Sequence, residues 1–136
     1  MPRFEPQIKH YLEALQTKGF EYAFHGLLEI DKDILPELIE TYRHEQNVEI
    51  RELLVEVIWE YREKSVIPFL GEALRDPEQR IWRQALNGLV TLASPEAVEV
   101  LSGAISYRLE NPHKTEAFQK WLLEALEQAE EKLKAA

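Results

Sequence analysis

Histidines paired with carboxylates are the residues of this chain that come closest to metal or acid–base chemistry. Glu21 and His25, like Glu40 and His44, stand four residues apart, so each pair shares one face of a helix. A zinc site needs three or four converging ligands, and none of the 4 histidines falls in an H-E-x-x-H pattern. We therefore expect two solvated surface pairs rather than a metal site.

Other catalytic patterns are missing as well. Asp31 and Asp33 flank Lys32, but the glycine and the distal glutamate of an EF-hand calcium loop are absent, and a helix cap explains the segment better. Phosphate-binding glycine loops and nucleophile elbows do not occur. The chain has no cysteine, which excludes disulfides and thiolate catalysis. The sequence thus predicts no catalytic residue, no metal, no cofactor and no enzymatic activity.

A row of carboxylates follows the segment that begins near Asn47. Its members recur at steps of three and four residues, and we call them the glutamate stripe: Glu49, Glu52, Glu56, Glu60 and Glu63. At about 100° per residue, the apolar residues of this segment face the core, while Val55 and Trp59 lie on roughly the opposite side. An indole directed away from the core and rimmed by carboxylates is typical of a protein-binding patch. A merely solvated helix face is the alternative interpretation of the stripe.

Helical spacing of apolar residues runs through the whole chain, and no strand-like alternation occurs. Gly19 is a stop signal for the first helix, and Asn47 is a start signal for the fourth. Proline segments at Asp76-Pro77 and Ser94-Pro95 open the sixth and seventh helices. The remaining start signals are Asp31 or Asp33, Ser65, and Asn111-Pro112. These signals predict about eight helices.

The predicted helices recur as pairs. When the chain is moved along itself until Ile50 falls on Ile81, Ile58 falls on Leu89. Pairs of amphipathic helices bury their apolar faces only when they stack. We predict an all-α chain, a short α-solenoid of about eight helices in four antiparallel hairpins. Its single domain spans 1–136 and divides into an N-terminal capping hairpin, 1–31, and three repeat units, 32–64, 65–93 and 94–136.

Two proline turns carry a family resemblance. One is Asp76-Pro77-Glu78, and the other is Ser94-Pro95-Glu96-Ala97-Val98. Together with the apolar residues between and after them, through Leu101, they resemble the HEAT-like repeat of the phycobilin (PBS) lyase type. In this resemblance Ser94 replaces an aspartate, and Trp82 stands where the family usually has an arginine. The resemblance implies an α-solenoid used mostly for binding other proteins.

The predicted binding surface combines the stripe with the equivalent positions of the next pair, because the second helix of each solenoid unit lines the concave side. The candidate partner-binding residues are Glu52, Val55, Glu56, Trp59, Glu60, Trp82, Arg83 and Asn87. For Trp82 the sequence leaves open whether the indole is exposed or packed between repeats. Trp121 lies on the apolar side of the last helix, so we predict that it belongs to the core.

The net charge of the chain indicates which classes of partner are favoured. The chain has 16 basic and 25 acidic residues and a formal net charge of −9, which repels nucleic acid and favours a basic protein. No apolar run reaches the roughly 18 residues of a membrane span, so no membrane association is expected. Residues 1–6 lack the apolar core of a signal peptide, and we expect a cytoplasmic location.

These features predict a non-catalytic adaptor that binds another protein through a concave acidic face. An inhibitor of a basic toxin, such as an immunity protein, is one form of that function which the acidity and the small size suit. The alternative is a chaperone-lyase-like protein that acts in phycobilin attachment or holds another small ligand. The oligomeric state stays open.

Overall fold

The computed structural model describes residues 3–135, which form eight α-helices and no strand. The all-α fold class and the number of helices are therefore confirmed. The first four helices are α1 (Glu5–Lys18), α2 (Phe20–Leu28), α3 (Leu35–His44) and α4 (Val48–Glu60). The last four are α5 (Ile67–Ala73), α6 (Gln79–Thr91), α7 (Pro95–Gly103) and α8 (Pro112–Ala135).

Several predicted boundary residues end or begin a helix as expected. Gly19 alone separates α1 from α2, and its φ of 89° is a conformation that favours glycine. Asn47 accepts a hydrogen bond from the Ile50 N–H at the start of α4. Ser94 accepts one from the Ala97 N–H at the start of α7, and Asn111 accepts one from the Lys114 N–H at the start of α8. These side chains satisfy N–H groups that have no partner within the helix.

Three predicted caps were wrong in detail, because short 3₁₀ turns precede α3 and α5 and a separate turn precedes α6. Asp31 accepts from the Asp33 N–H and caps the turn Lys32–Ile34 rather than α3 itself. Ser65 lies inside the turn Lys64–Val66 and caps no helix. Asp76 accepts from the Glu78 N–H, so it stabilises the turn before α6, which begins only at Gln79. Turns of this kind are common connectors between helices.

The chain divides into two compact units, an N-terminal unit that ends at Tyr61 and a C-terminal unit that begins at Arg62. The single domain with its capping hairpin, 1–31, and its repeat units, 32–64, 65–93 and 94–136, stays a prediction.

The N-terminal unit is built from two helix pairs. Helix α1 packs on α2, α3 packs on α4, and α2 also contacts α4. Tyr11 of α1 lies directly against Gly26 of α2, where any larger side chain would collide with its ring. The hydroxyl of Tyr61 donates to the Leu27 and Ile30 carbonyl oxygens, at 2.6 and 2.7 Å, and so links the end of α4 to the end of α2. These contacts fix α4 within its own unit.

The C-terminal unit has the same paired organisation, with α5 on α6, α7 on α8, and α6 on α8. Trp82 is 2% exposed, and its ring meets that of Phe118 edge-on at 5.1 Å. The prediction for Trp121 was wrong: its side chain is 38% exposed on α8, under the Arg83 guanidinium at 4.0 Å. Trp121 lies on the flank of the buried row of α8, which consists of Phe118, Leu122, Ala125 and Ala129.

Candidate functional site

Helix α4 is mostly buried, but its glutamates remain partly exposed. Six of its residues are buried, and they are not confined to one face: Leu53, Leu54, Val55, Val57, Ile58 and Trp59. Glu52, Glu56 and Glu60 are half-buried and lie one turn apart along the helix. They line the narrow accessible strip between the packed sides of α4, since positions i and i+4 share a face.

The placement of Val55 and Trp59 was predicted wrongly. Val55 is 0% exposed and Trp59 is 9% exposed, so neither side chain is available to a partner. The interpretation of the sequence assumed one buried face, whereas α4 contacts both α2 and α3 and packs on more than one side. The indole that was expected to anchor a partner instead belongs to the interior.

Of the three candidate residues on α6, one is buried and two are exposed. Trp82 is interior, held against Phe118, so it is removed from the candidate surface. Arg83 and Asn87 are exposed. Arg83 covers the Trp121 ring, a cation–π contact that stabilises an exposed indole without burying it. A concave surface shared by α4 and α6 stays a prediction.

A carboxylate from another helix joins those of α4. Burial raises the pKa of Glu56, and the negative charges of Glu60, Glu52 and Glu21 raise it further. We call these four residues the acidic cluster. Glu21 projects from α2 and also binds the His25 imidazole, with 3.0 Å between Oε2 and Nε2. Burial and nearby like charges both disfavour the ionised form of a carboxyl, which is why the pKa of Glu56 is raised.

Sequence reasoning had assigned Glu21 only to its pair with His25. The packing of α2 on α4 brings Glu21 towards Glu56, and no spacing along the chain signals a contact between these two helices. The two histidine pairs are surface pairs, as expected: His25 and His44 are exposed, and the His44 Nδ1 lies 3.7 Å from the Glu40 Oε1.

The part of the chain that the structure describes has neither a group of metal ligands nor a helix suited to a membrane. Within residues 3–135, no three or more histidine, aspartate or glutamate side chains are grouped in a way that could hold a metal ion. Among the helices described, not one combines the length and the apolar character needed to cross a membrane.

Comparison with known proteins gives one match. A family model described as HEAT repeats matches residues 35–118, which is more than half of the chain. The matched segment begins with α3 and extends into α8, so it includes Glu52, Glu56 and Glu60 as well as Arg83 and Asn87. No curated protein and no solved structure matches the chain significantly.

Proposed function

Because the chain belongs to the HEAT repeat family, whose members commonly mediate protein–protein interaction, we propose that it binds a basic protein through the acidic cluster, without catalysis. The observation that carries the proposal is the row of half-buried carboxylates Glu52, Glu56 and Glu60, one turn apart on α4. Burial, and then the neighbouring negative charges, raise the pKa of Glu56, which agrees with this placement. A lysine or arginine side chain placed among these carboxylates removes their mutual repulsion and forms charge-assisted hydrogen bonds.

The net charge supports the same class of partner. At −9 the chain attracts a cationic protein over a distance of about a Debye length, which speeds association and weakens with salt. The acidity favours an inhibitor of a basic protein, and an immunity protein that neutralises a basic toxin is of this kind. In this proposal nucleic acid is not a partner, since its phosphates would meet the same field.

The experiment is a comparative affinity capture with three baits. The first is the wild-type chain, and the second is the double variant Glu52→Lys/Glu56→Lys. The third is Glu127→Lys/Glu131→Lys, which makes the same change in charge at the same spacing on an exposed part of α8. We expect basic proteins that the wild type and the α8 variant retain and that the α4 variant loses. Equal capture by both double variants would show that net charge, rather than the acidic cluster, binds the partner.

The narrower resemblance to the phycobilin-lyase type supports a second candidate function, a role in chromophore attachment. Its support is the sequence between Asp76 and Leu101, which carries the two proline turns of that repeat. A thermal-shift assay with a linear tetrapyrrole distinguishes the two functions. An unchanged Tm is expected for the protein-binding function, and a saturable increase in Tm would favour the chromophore role.

A further inference from the structure

A groove opens in the N-terminal unit between α1, α3 and the first turn of α4. Its volume is about 1090 Å³, just above the range of small-molecule pockets, and it is open to solvent. Its surface is mostly apolar, with Ile8 and Leu12 from α1, Pro36 from α3 and Ile50 from α4. It shares no residue with the acidic cluster, so it is a separate surface.

Carboxylates surround this apolar floor. Glu5, Glu13, Glu37, Glu40 and Glu45 line the groove, and Lys9 is the only lysine or arginine among its lining residues. Glu40 already pairs with Arg43 Nη1 at 3.1 Å, so the other four carboxylates supply the charge for an occupant. Two of the carboxylates are held in place by backbone groups. Glu37 accepts from the Arg3 and Phe4 N–H groups, and Glu45 accepts from the Gln46 and Asn47 N–H groups. Such hydrogen bonds position a carboxylate and leave its negative charge in place.

The conformation of a peptide bound in the groove is limited by the hydrogen bonds that its backbone needs. An extended peptide on an apolar floor needs partners for its N–H and C=O groups, and no strand in residues 3–135 offers an edge to pair with. A helix satisfies these groups internally. Ile8 and Leu12 are four residues apart on α1, and such a row accepts side chains that recur every three or four residues on a second helix.

We propose that the α1–α3 groove binds an amphipathic helix with an apolar stripe flanked by lysines or arginines. The apolar stripe covers Ile8, Leu12, Pro36 and Ile50, and the cations meet the surrounding carboxylates. The inference goes beyond the proposed function, because it concerns a different surface, and either can fail without the other.

The test uses the full chain and a synthetic peptide of about 18 residues, long enough to form a helix on binding, with leucines at i, i+3, i+4 and i+7 and lysines elsewhere. One control peptide has the same composition with leucines distributed around the helix, and another has glutamates in place of the lysines. We expect fluorescence anisotropy to give a Kd at least tenfold lower for the first peptide than for either control. Equal affinity for the evenly distributed peptide would overturn the proposal.

Variants of the chain locate the binding. Leu12→Glu places a charge on the groove floor and should raise the Kd at least tenfold, whereas Leu123→Glu, with the same charge on an exposed position of α8, should leave it within twofold. Glu5→Lys/Glu13→Lys changes only exposed carboxylates, so it tests the groove even if Leu12→Glu folds poorly. Retained affinity in the Glu5→Lys/Glu13→Lys variant contradicts the inference. Loss of affinity in Glu52→Lys/Glu56→Lys alone assigns the peptide to the acidic cluster instead.

Discussion

At Glu56 the proposed binding function and the stability of the fold oppose each other. Its pKa is raised above the ordinary 4.5 by burial and by Glu60, Glu52 and Glu21. A carboxyl whose pKa is higher in the folded chain than in the unfolded chain binds its proton more tightly when folded. Its contribution to stability is therefore fully present below the unfolded pKa and is lost as the pH rises through the folded pKa. At neutral pH the ionised Glu56 opposes folding.

We predict that Glu56→Gln increases the free energy of unfolding at pH 7 by a few tenths of a kcal/mol, since water still screens a half-buried carboxylate. Near pH 3, Glu56 is protonated in both the folded and the unfolded wild-type chain, so the difference in stability between wild type and variant should vanish. Urea denaturation at the two pH values measures it, with Glu49→Gln on the exposed first turn of α4 as the control. A variant that is less stable than the wild type at pH 7 would contradict this account of the cluster.

Tyr61 provides a second prediction for a single residue. Burial, and then the charge of Asp31, raises the pKa of Tyr61 to about 12, and its hydroxyl binds two carbonyl oxygens at the end of α2. Tyr61→Phe should lower the free energy of unfolding by about 1 kcal/mol at pH 7. Because the folded pKa exceeds the unfolded value of 10.0, the contribution of the wild-type phenol is lost as the pH rises from 10 towards 12. Denaturation at pH 8 and pH 11 checks this: a difference between wild type and variant that fails to shrink at pH 11 would be inconsistent with it.

Among single residues, sequence reasoning succeeded where the interaction is local. Asn47 and Ser94 bind N–H groups three residues away, so residue type and spacing were sufficient to identify them. It failed for Trp59 and Trp121, whose burial depends on neighbouring helices that are distant along the chain. An angular position on one helix does not say how many sides of that helix are covered.

At the scale of elements, α4 is a helix buried on more than one side, with its carboxylates confined to a strip. This changes the expected role of its tryptophan from a contact with a partner to a contact within the chain. Trp59→Ala should therefore lower the free energy of unfolding by about 3–5 kcal/mol through loss of a buried side chain.

Trp121 is the matched control on α8, since its ring is 38% exposed and Trp59 is 9% exposed. Trp121→Ala should lower the free energy of unfolding by about 1 kcal/mol or less, with the loss of its contact with Arg83. Thermal and urea denaturation of both variants gives the comparison. Equal losses would mean that the burial of α4 is misassigned.

The number and order of the helices were predictable because each start signal lies within a few residues of the helix that it opens. Prolines in the first turn of α1, α3, α5 and α7 are such local start signals. The 3₁₀ turns before α3 and α5 were not predicted, since their residues have the same spacing as an ordinary first turn. Asp31 and Ser65 were misassigned for that reason.

At the scale of the whole molecule, the repeated helix pairs and the net charge of −9 were accessible to sequence reasoning. The match of the HEAT repeat model to residues 35–118 agrees with the first of these. The α1–α3 groove and the approach of Glu21 to Glu56 were not accessible, because both depend on how helices of one unit pack together. Of the predicted partner-binding residues, the carboxylates of α4 therefore remain candidates, whereas Trp59 and Trp82 are buried.

The most direct test of the central claim is the affinity of a captured basic partner for the two charge-matched double variants. Titration calorimetry at low salt should show at least a tenfold higher Kd, about 1.4 kcal/mol, for Glu52→Lys/Glu56→Lys than for the wild type. Glu127→Lys/Glu131→Lys should stay within about threefold of the wild type, since charges distant from the contact act mainly on the association rate. A Glu52→Lys/Glu56→Lys protein that is folded and binds as tightly as the α8 variant would contradict the claim that the acidic cluster holds the partner.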